Sequence, residues 1–229
     1  MTLGRGTHGV MGLAREVGVL ADLKGTDDEE SVSALHGEQF EIINKALRAE
    51  GLGEHIEPQE PNETFSCGMF GYSGLHYLRR IAAHLALGKP IPPPGDQHAD
   101  KDPLLYGEYW RRFQAGERLK YQHLIVHSDA EGYYIPVDFE RPRDLTEFQL
   151  TGGWVGSTQR LHAECSDLAR ALDMPVEMDH ESDEIWDLLK TQGQGQLRWQ
   201  QYGIETFTCL RLLAASEVSL CAGAAIVFM

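Results

Sequence analysis

His123-Leu-Ile-Val-His-Ser-Asp-Ala-Glu-Gly-Tyr-Tyr-Ile-Pro-Val-Asp-Phe139 carries the strongest strand signal in the chain. Two runs rich in β-branched and aromatic residues, 123–127 and 133–139, flank a turn-rich segment, Ser128 to Gly132. That pattern predicts a β-hairpin across 121–139. With Asp129 to Gly132 as the loop, His127 stands opposite Tyr134, Ile125 opposite Pro136 and His123 opposite Asp138. Side chains alternate across a strand, so Leu124, Val126, Ile135 and Val137 would form a core face. The other face would carry His123, His127, Tyr134 and Asp138.

Outward from the hairpin, the periodicity is mostly helical. Helices are expected at 13–24 and 30–50, the second with Leu35, Phe40, Ile43 and Leu47 on one stripe and Gly51 just past its end. Asp27-Asp28-Glu29-Glu30 would sit at its N-terminus, where carboxylates favour the helix dipole. Gly53, Pro58 and Pro61 mark a loop. A helix at 73–87 follows, with His76, Arg80 and His84 as its polar stripe and Gly88 as its stop. Pro103 suits the first turn of a helix through Tyr109, Trp110 and Phe113. Further helices are expected at 158–172, 183–190 and 199–221, and residues 224–229 read as a buried strand, with another short strand near Val10. The class is therefore α+β. Helices would pack on a small mixed or antiparallel sheet that contains the 121–139 hairpin and a C-terminal strand. One domain, 1–229, accommodates all of it, and the proline-rich loop at 88–103 is the only candidate boundary.

The charge is the unusual feature. Asp and Glu number 35 against 20 Lys and Arg, for a formal charge of −15. Affinity for nucleic acid rests on Lys and Arg neutralising phosphates, so the composition predicts no nucleic-acid partner and no anionic membrane. It favours a basic protein partner, whose encounter the field would speed. Cys67, Cys165, Cys209 and Cys221 lack CxxC spacing and read as thiols in a reducing cytoplasm. Residues 1–8 carry no apolar h-region and no stretch approaches 18 uncharged apolar residues, so a cytoplasmic location is expected.

Chemistry could reside in three places. The imidazoles, phenol and carboxylate of His123, His127, Tyr134 and Asp138 could relay protons, and His127 with Asp129 could share a metal ion. Cys67 precedes a helix N-terminus, which would lower a thiol's pKa and suit a Cys–His hydrolase. Gly152-Gly-Trp-Val-Gly-Ser157-Thr158 precedes a helix but matches no nucleotide-binding signature, and Ser157 or Thr158 reads there as an N-cap. No cofactor is implied. The run Glu177-Met-Asp179-His-Glu181-Ser-Asp183-Glu184 has the composition of a calcium loop without its central glycine or terminal glutamate, and reads as a solvated, partner-facing segment.

Tyr72-Ser-Gly-Leu-His-Tyr-Leu-Arg-Arg80, the 123–139 segment and Gly153-Trp-Val-Gly-Ser157 resemble an uncharacterised family of small acidic bacterial cytoplasmic proteins, similar to the immunity proteins of polymorphic-toxin neighbourhoods. The resemblance covers residues 65–229 and implies a binding protein rather than an enzyme. Two functional expectations follow. One is an immunity-type binder that neutralises a basic protein effector through Glu177, Asp179, Glu181, Asp183 and Glu184. The other is a Cys/His or metal-assisted hydrolase built on the hairpin face or on Cys67.

Overall fold

The computed structural model describes residues 14–18, 29–69, 71–94, 99–175 and 177–228. The strand expected near Val10 lies outside them, as do Asp27 and Asp28. Six short strands form one mixed sheet in the order β2-β1-β6-β3-β5-β4. They are β1 (Ala14–Val17), β2 (Phe65–Gly68), β3 (Gly132–Ile135), β4 (Arg143–Asp144), β5 (Trp154–Ser157) and β6 (Ile226–Phe228). Only β3 and β5 run parallel, with Tyr134 in register with Gly156. The other four pairings are antiparallel. A Cβ on Gly156 would stand 2.3 Å from the Tyr134 ring, so only glycine fits there.

The α+β class, the mixed sheet and the C-terminal strand agree with the sequence reading. The helix expected at 13–24 does not form in its described part. Residues 14–17 instead pair on both sides, with β2 and with β6. Those two ladders satisfy backbone groups that an isolated helix would have had to satisfy alone, and pairing overrides local propensity.

Helix α1 (Glu29–Ala49) covers one face of the sheet. Its Phe40, Ile43 and Leu47 are buried with Tyr133, Ile135, Val155 and Val227. Each such side chain stabilises the fold by about 1.5–3 kcal/mol relative to exposure. Leu35, expected on the same stripe, is half exposed at 50%. Gly51, at φ +72°, turns the chain away at the helix end.

The opposite face carries Val17, Tyr134, Ile226 and Phe228 and is covered by α2 (Gly71–Ala86), α5 (Thr158–Ala171) and α8 (Gly203–Ala222). The last is apolar around most of its circumference, which suits a helix enclosed by neighbours. The expected helix at 199–221 is in fact two, α7 (Arg198–Gln201) and α8, separated at Tyr202. Helix α6 (Asp183–Leu188) packs Ile185 and Leu188 against Trp199, Phe207 and Leu210.

The hairpin does not form. Its second arm supplies β3, but residues 122–126 are a helix, α4 (Gln122–Val126), with all five side chains buried. A left-handed cap residue and two side chains from elsewhere in the fold hold this conformation. Tyr121 starts the turn in the left-handed region at φ +62°. The Glu164 carboxyl group accepts the N–H groups of His123 at 3.1 Å and Leu124 at 2.8 Å. The Arg79 guanidinium donates to the carbonyls of Leu124, His127 and Ser128. The β-branched run is thus overridden at both ends by side chains from α5 and α2, and a helix of five residues is too short to announce itself by periodicity.

Candidate functional site

The four residues expected on one sheet face do not share one: His123, His127 and Tyr134 meet around α4, and Asp138 is drawn to Arg160. His123 is 1% exposed on α4. Its Nδ1 accepts the Ser157 N–H at 2.9 Å and its Nε2–H donates to the Glu140 carbonyl at 3.3 Å. Burial pushes its pKa down to about 4. The pairing with Asp138, which would have raised it, is absent because Asp138 binds Arg160 at 2.6 Å. Tyr134 is buried with its O–H donated to the His123 carbonyl. His127 stacks on the Tyr134 ring at 4.1 Å, its ring nitrogens against the carbonyls of Ser128 and Tyr133. These side chains lock α4 onto the sheet.

Cys67 lies on β2, buried in the main core and in register with Arg15, several residues from any helix N-terminus it could exploit. Asp129 pairs with His76 at 3.0 Å. Among the described residues no three His, Cys, Asp or Glu side chains come together as a metal site. The polar stripe of α2 is only partly solvent-facing. His76 binds Asp129 and Tyr106, His84 binds Asp102 and the Pro90 carbonyl, and Arg80 is 1% exposed. Sequence reasoning missed Tyr106 because no spacing links residue 106 to residues 76 and 129.

The acidic segment is the feature that stands where it was expected, on the surface. Glu177, Asp179, Glu181, Asp183, Glu184 and Asp187 are all exposed. Of these six, only Asp187 has an ion-pair partner among the described residues, Lys190 at 2.7 Å. The frame beneath is tied at several points. Ser182 caps α6 by accepting the Ile185 N–H, and Asp179 accepts the Glu181 N–H at 2.9 Å. Arg211, 4% exposed, lies over the Trp186 ring at 4.8 Å and the Phe207 ring at 4.4 Å. It donates to the Gly68 carbonyl and, at 3.4 Å, to that of His180. Edge strand β2, helix α8 and the acidic segment are thereby pinned to one guanidinium. Its worth is packing as much as charge.

A second group of carboxylates is arranged differently. A cleft of about 470 Å³ is lined by Arg118, Lys120, Arg160 and Arg170 together with Glu140, Glu164 and Asp167. There Asp167 accepts from Arg170 at 3.0 Å and from the Tyr121 hydroxyl at 2.5 Å, and Glu140 binds Arg118 at 2.9 Å. Burial pushes the Glu164 carboxyl up to about 8, against the pull of the α4 N–H donors.

The geometry defines an acidic α+β protein that displays, on the 177–187 segment, carboxylates without ion-pair partners among the described residues. A family model described as "Putative DNA-mimic protein" matches residues 11–228, and the chain belongs to that family. No curated protein and no solved structure matches the chain. Family membership overturns both functional expectations, the immunity-type neutraliser of a basic effector and the hydrolase. It also corrects the partner expectation, which set nucleic acid aside. The charge reads in the sequence as repelling nucleic acid and attracting a basic effector, whereas in a DNA-mimic family it stands in for the phosphates that DNA-binding proteins recognise. Among the described residues no helix is long and apolar enough to cross a membrane.

Proposed function

We propose that this chain is a DNA mimic that occupies the DNA-binding surface of a DNA-binding protein and so excludes duplex from it. The observation that carries this reading is the family match across residues 11–228. The formal charge of −15 supports it. Duplex DNA presents one negative charge per about 1.7 Å of axis, and its protein partners meet that charge with Lys and Arg. Carboxylates on a folded surface can satisfy the same cations. The exposed run from Glu177 to Asp187 is the densest such display among the described residues. Its helix cap, apolar anchors and Arg211 hold it in place before any partner arrives, which lowers the ordering cost of association.

The test uses DNA-cellulose loaded with a lysate of the native host and washed with the purified chain. The expected result is release of a DNA-binding protein that polyglutamate of equal total charge leaves bound. A labelled duplex shifted by that released protein should then be set free by a near-stoichiometric amount of the chain. Release no different from that by polyglutamate, or a duplex shift that survives tenfold excess of the chain, overturns the reading.

A further inference from the structure

One region of this acidic chain gathers positive charge. The segment leading from α3 (Trp110–Gln114) into α4 carries Arg118 and Lys120, and α5 carries Arg160 and Arg170. All four line the cleft of about 470 Å³ beside α4, together with Glu140, Asp167 and Glu164. Burial raises the Glu164 pKa to about 8, so near neutral pH its carboxyl is mostly uncharged. His123, also in the lining, is neutral there because burial lowers its pKa to about 4. Asp138 pairs with Arg160 from outside the lining. Even with Asp138 included, the cations outnumber the ionised carboxylates, in a chain whose formal charge is −15.

The rim and the inner wall of this cleft differ. On the rim, the side chains of Arg118, Lys120 and Arg170 are largely exposed although each meets a carboxylate. Ion pairs so open to water contribute little and give way readily to an incoming anion. Arginine forks suit phosphate oxygens, which they can bind two at a time. The inner wall holds Gln122, 5% exposed. Its Nε2–H donates to the Leu119 carbonyl at 2.7 Å, which fixes the orientation of the amide. Its Oε1 is buried and has no hydrogen-bond partner among the described residues. A buried acceptor left unsatisfied is costly, so a native fold keeps one where another group completes it. The corner before Gln122 is held by Tyr121, at φ +62°, whose hydroxyl donates to Asp167 at 2.5 Å. The volume exceeds what an inorganic anion needs and lies in the range of small-ligand sites.

We propose that this cleft binds a small phosphomonoester that also carries hydroxyl groups, a sugar phosphate in chemical class. The phosphate takes the guanidinium groups of Arg160 and Arg170, and a ligand O–H donates to Gln122 Oε1. The cations alone would accept any anion, and the amide oxygen alone any donor. Both in one cleft call for a ligand that bears an anionic end and a donor end. The site is separate from the 177–187 segment and does not rest on the DNA-mimic reading.

The test titrates the full chain with ribose 5-phosphate by calorimetry at low ionic strength, with inorganic phosphate and ribose as partial ligands. Ribose 5-phosphate should saturate a single site and bind about tenfold or more tighter than either fragment. Arg160→Gln combined with Arg170→Gln, both changes on exposed side chains, should weaken it by about tenfold or more with an unchanged circular dichroism spectrum. Gln122→Met removes the acceptor and should bring ribose 5-phosphate down to the affinity of inorganic phosphate, which itself should not change. No saturation at millimolar ribose 5-phosphate overturns the proposal. So does equal affinity for ribose 5-phosphate and inorganic phosphate in the native chain, or an unchanged affinity in the double arginine variant or in folded Gln122→Met.

Discussion

The acidic segment at 177–187 and the cleft beside α4 contain the same chemical group in opposite circumstances. In the segment, carboxylates point to water, and five of the six have no ion-pair partner among the described residues. In the cleft, Glu140, Asp167 and Glu164 are each engaged by cations, a phenol or backbone N–H groups. The sequence shows the same division. Residues 103–170 hold ten carboxylates against eight Lys and Arg, and residues 171–229 hold nine against three. Net charge is therefore a poor measure of charge available to a partner. What counts is which carboxylates are left over after the fold has used the rest.

Substitutions should separate the two circumstances by stability. The largest loss is expected for Glu164→Ala, which leaves the His123 and Leu124 N–H groups buried without their acceptor. About 3 kcal/mol should disappear in urea denaturation. A loss under about 1 kcal/mol would mean that Arg79 alone holds α4.

The same carboxyl gives a pH signature. Its folded pKa is raised to about 8, so its contribution is full below its ordinary value of 4.5 and is lost as pH rises through 8. His123 has the opposite sign. Its folded pKa is lowered to about 4, so its contribution is present above 6.5 and lost as pH falls toward 4. The two oppose each other between about 4.5 and 6.5, and Glu164 acts alone above that. Stability should decline from pH 6.5 to 8 in the native chain and stay level in Glu164→Gln. A carbon-detected NMR titration placing Glu164 below about 5 would show that the N–H donors outweigh burial.

On the exposed side the effects shrink. Ser182→Ala removes the α6 cap and should cost about 1 kcal/mol, with the loss visible in amide exchange at Ile185. Joint reversal of Glu181, Asp183 and Glu184 to Lys should cost under about 0.5 kcal/mol each, while weakening competition with duplex steeply. If that triple variant unfolds, these carboxylates serve the fold and the contrast between the two regions fails.

The sequence was readable where a helix buries a stripe and carries its own punctuation. Phe40, Ile43 and Leu47 with Gly51 bounded α1, and Ser157-Thr158 marked the start of α5, with Ser157 as the cap. It was unreadable where a segment's conformation is imposed from elsewhere. Nothing local in His123-Leu-Ile-Val-His127 says that Glu164 and Arg79 will hold both ends of a helix. Trp154-Val-Gly-Ser157 read as a glycine-rich approach to a helix and is strand β5, because β3 and β4 offer partners on either side. The acidic surface was plain from composition, but its partner was not, since charge alone does not say whether carboxylates meet a basic effector or stand in for DNA phosphates.

The position of β6 bears on how the chain matures. Residues 226–228 lie between β1 and β3 and join the β1–β2 ribbon to the β3–β5–β4 half. Until they leave the ribosome the nascent chain holds two unjoined half-sheets, each with a bare edge facing the gap. Such edges are templates for the wrong partner. Completion therefore falls after synthesis of nearly all the preceding chain. Closure links residues more than 200 positions apart, which is expected to make folding slow and dependent on shielding of the nascent chain.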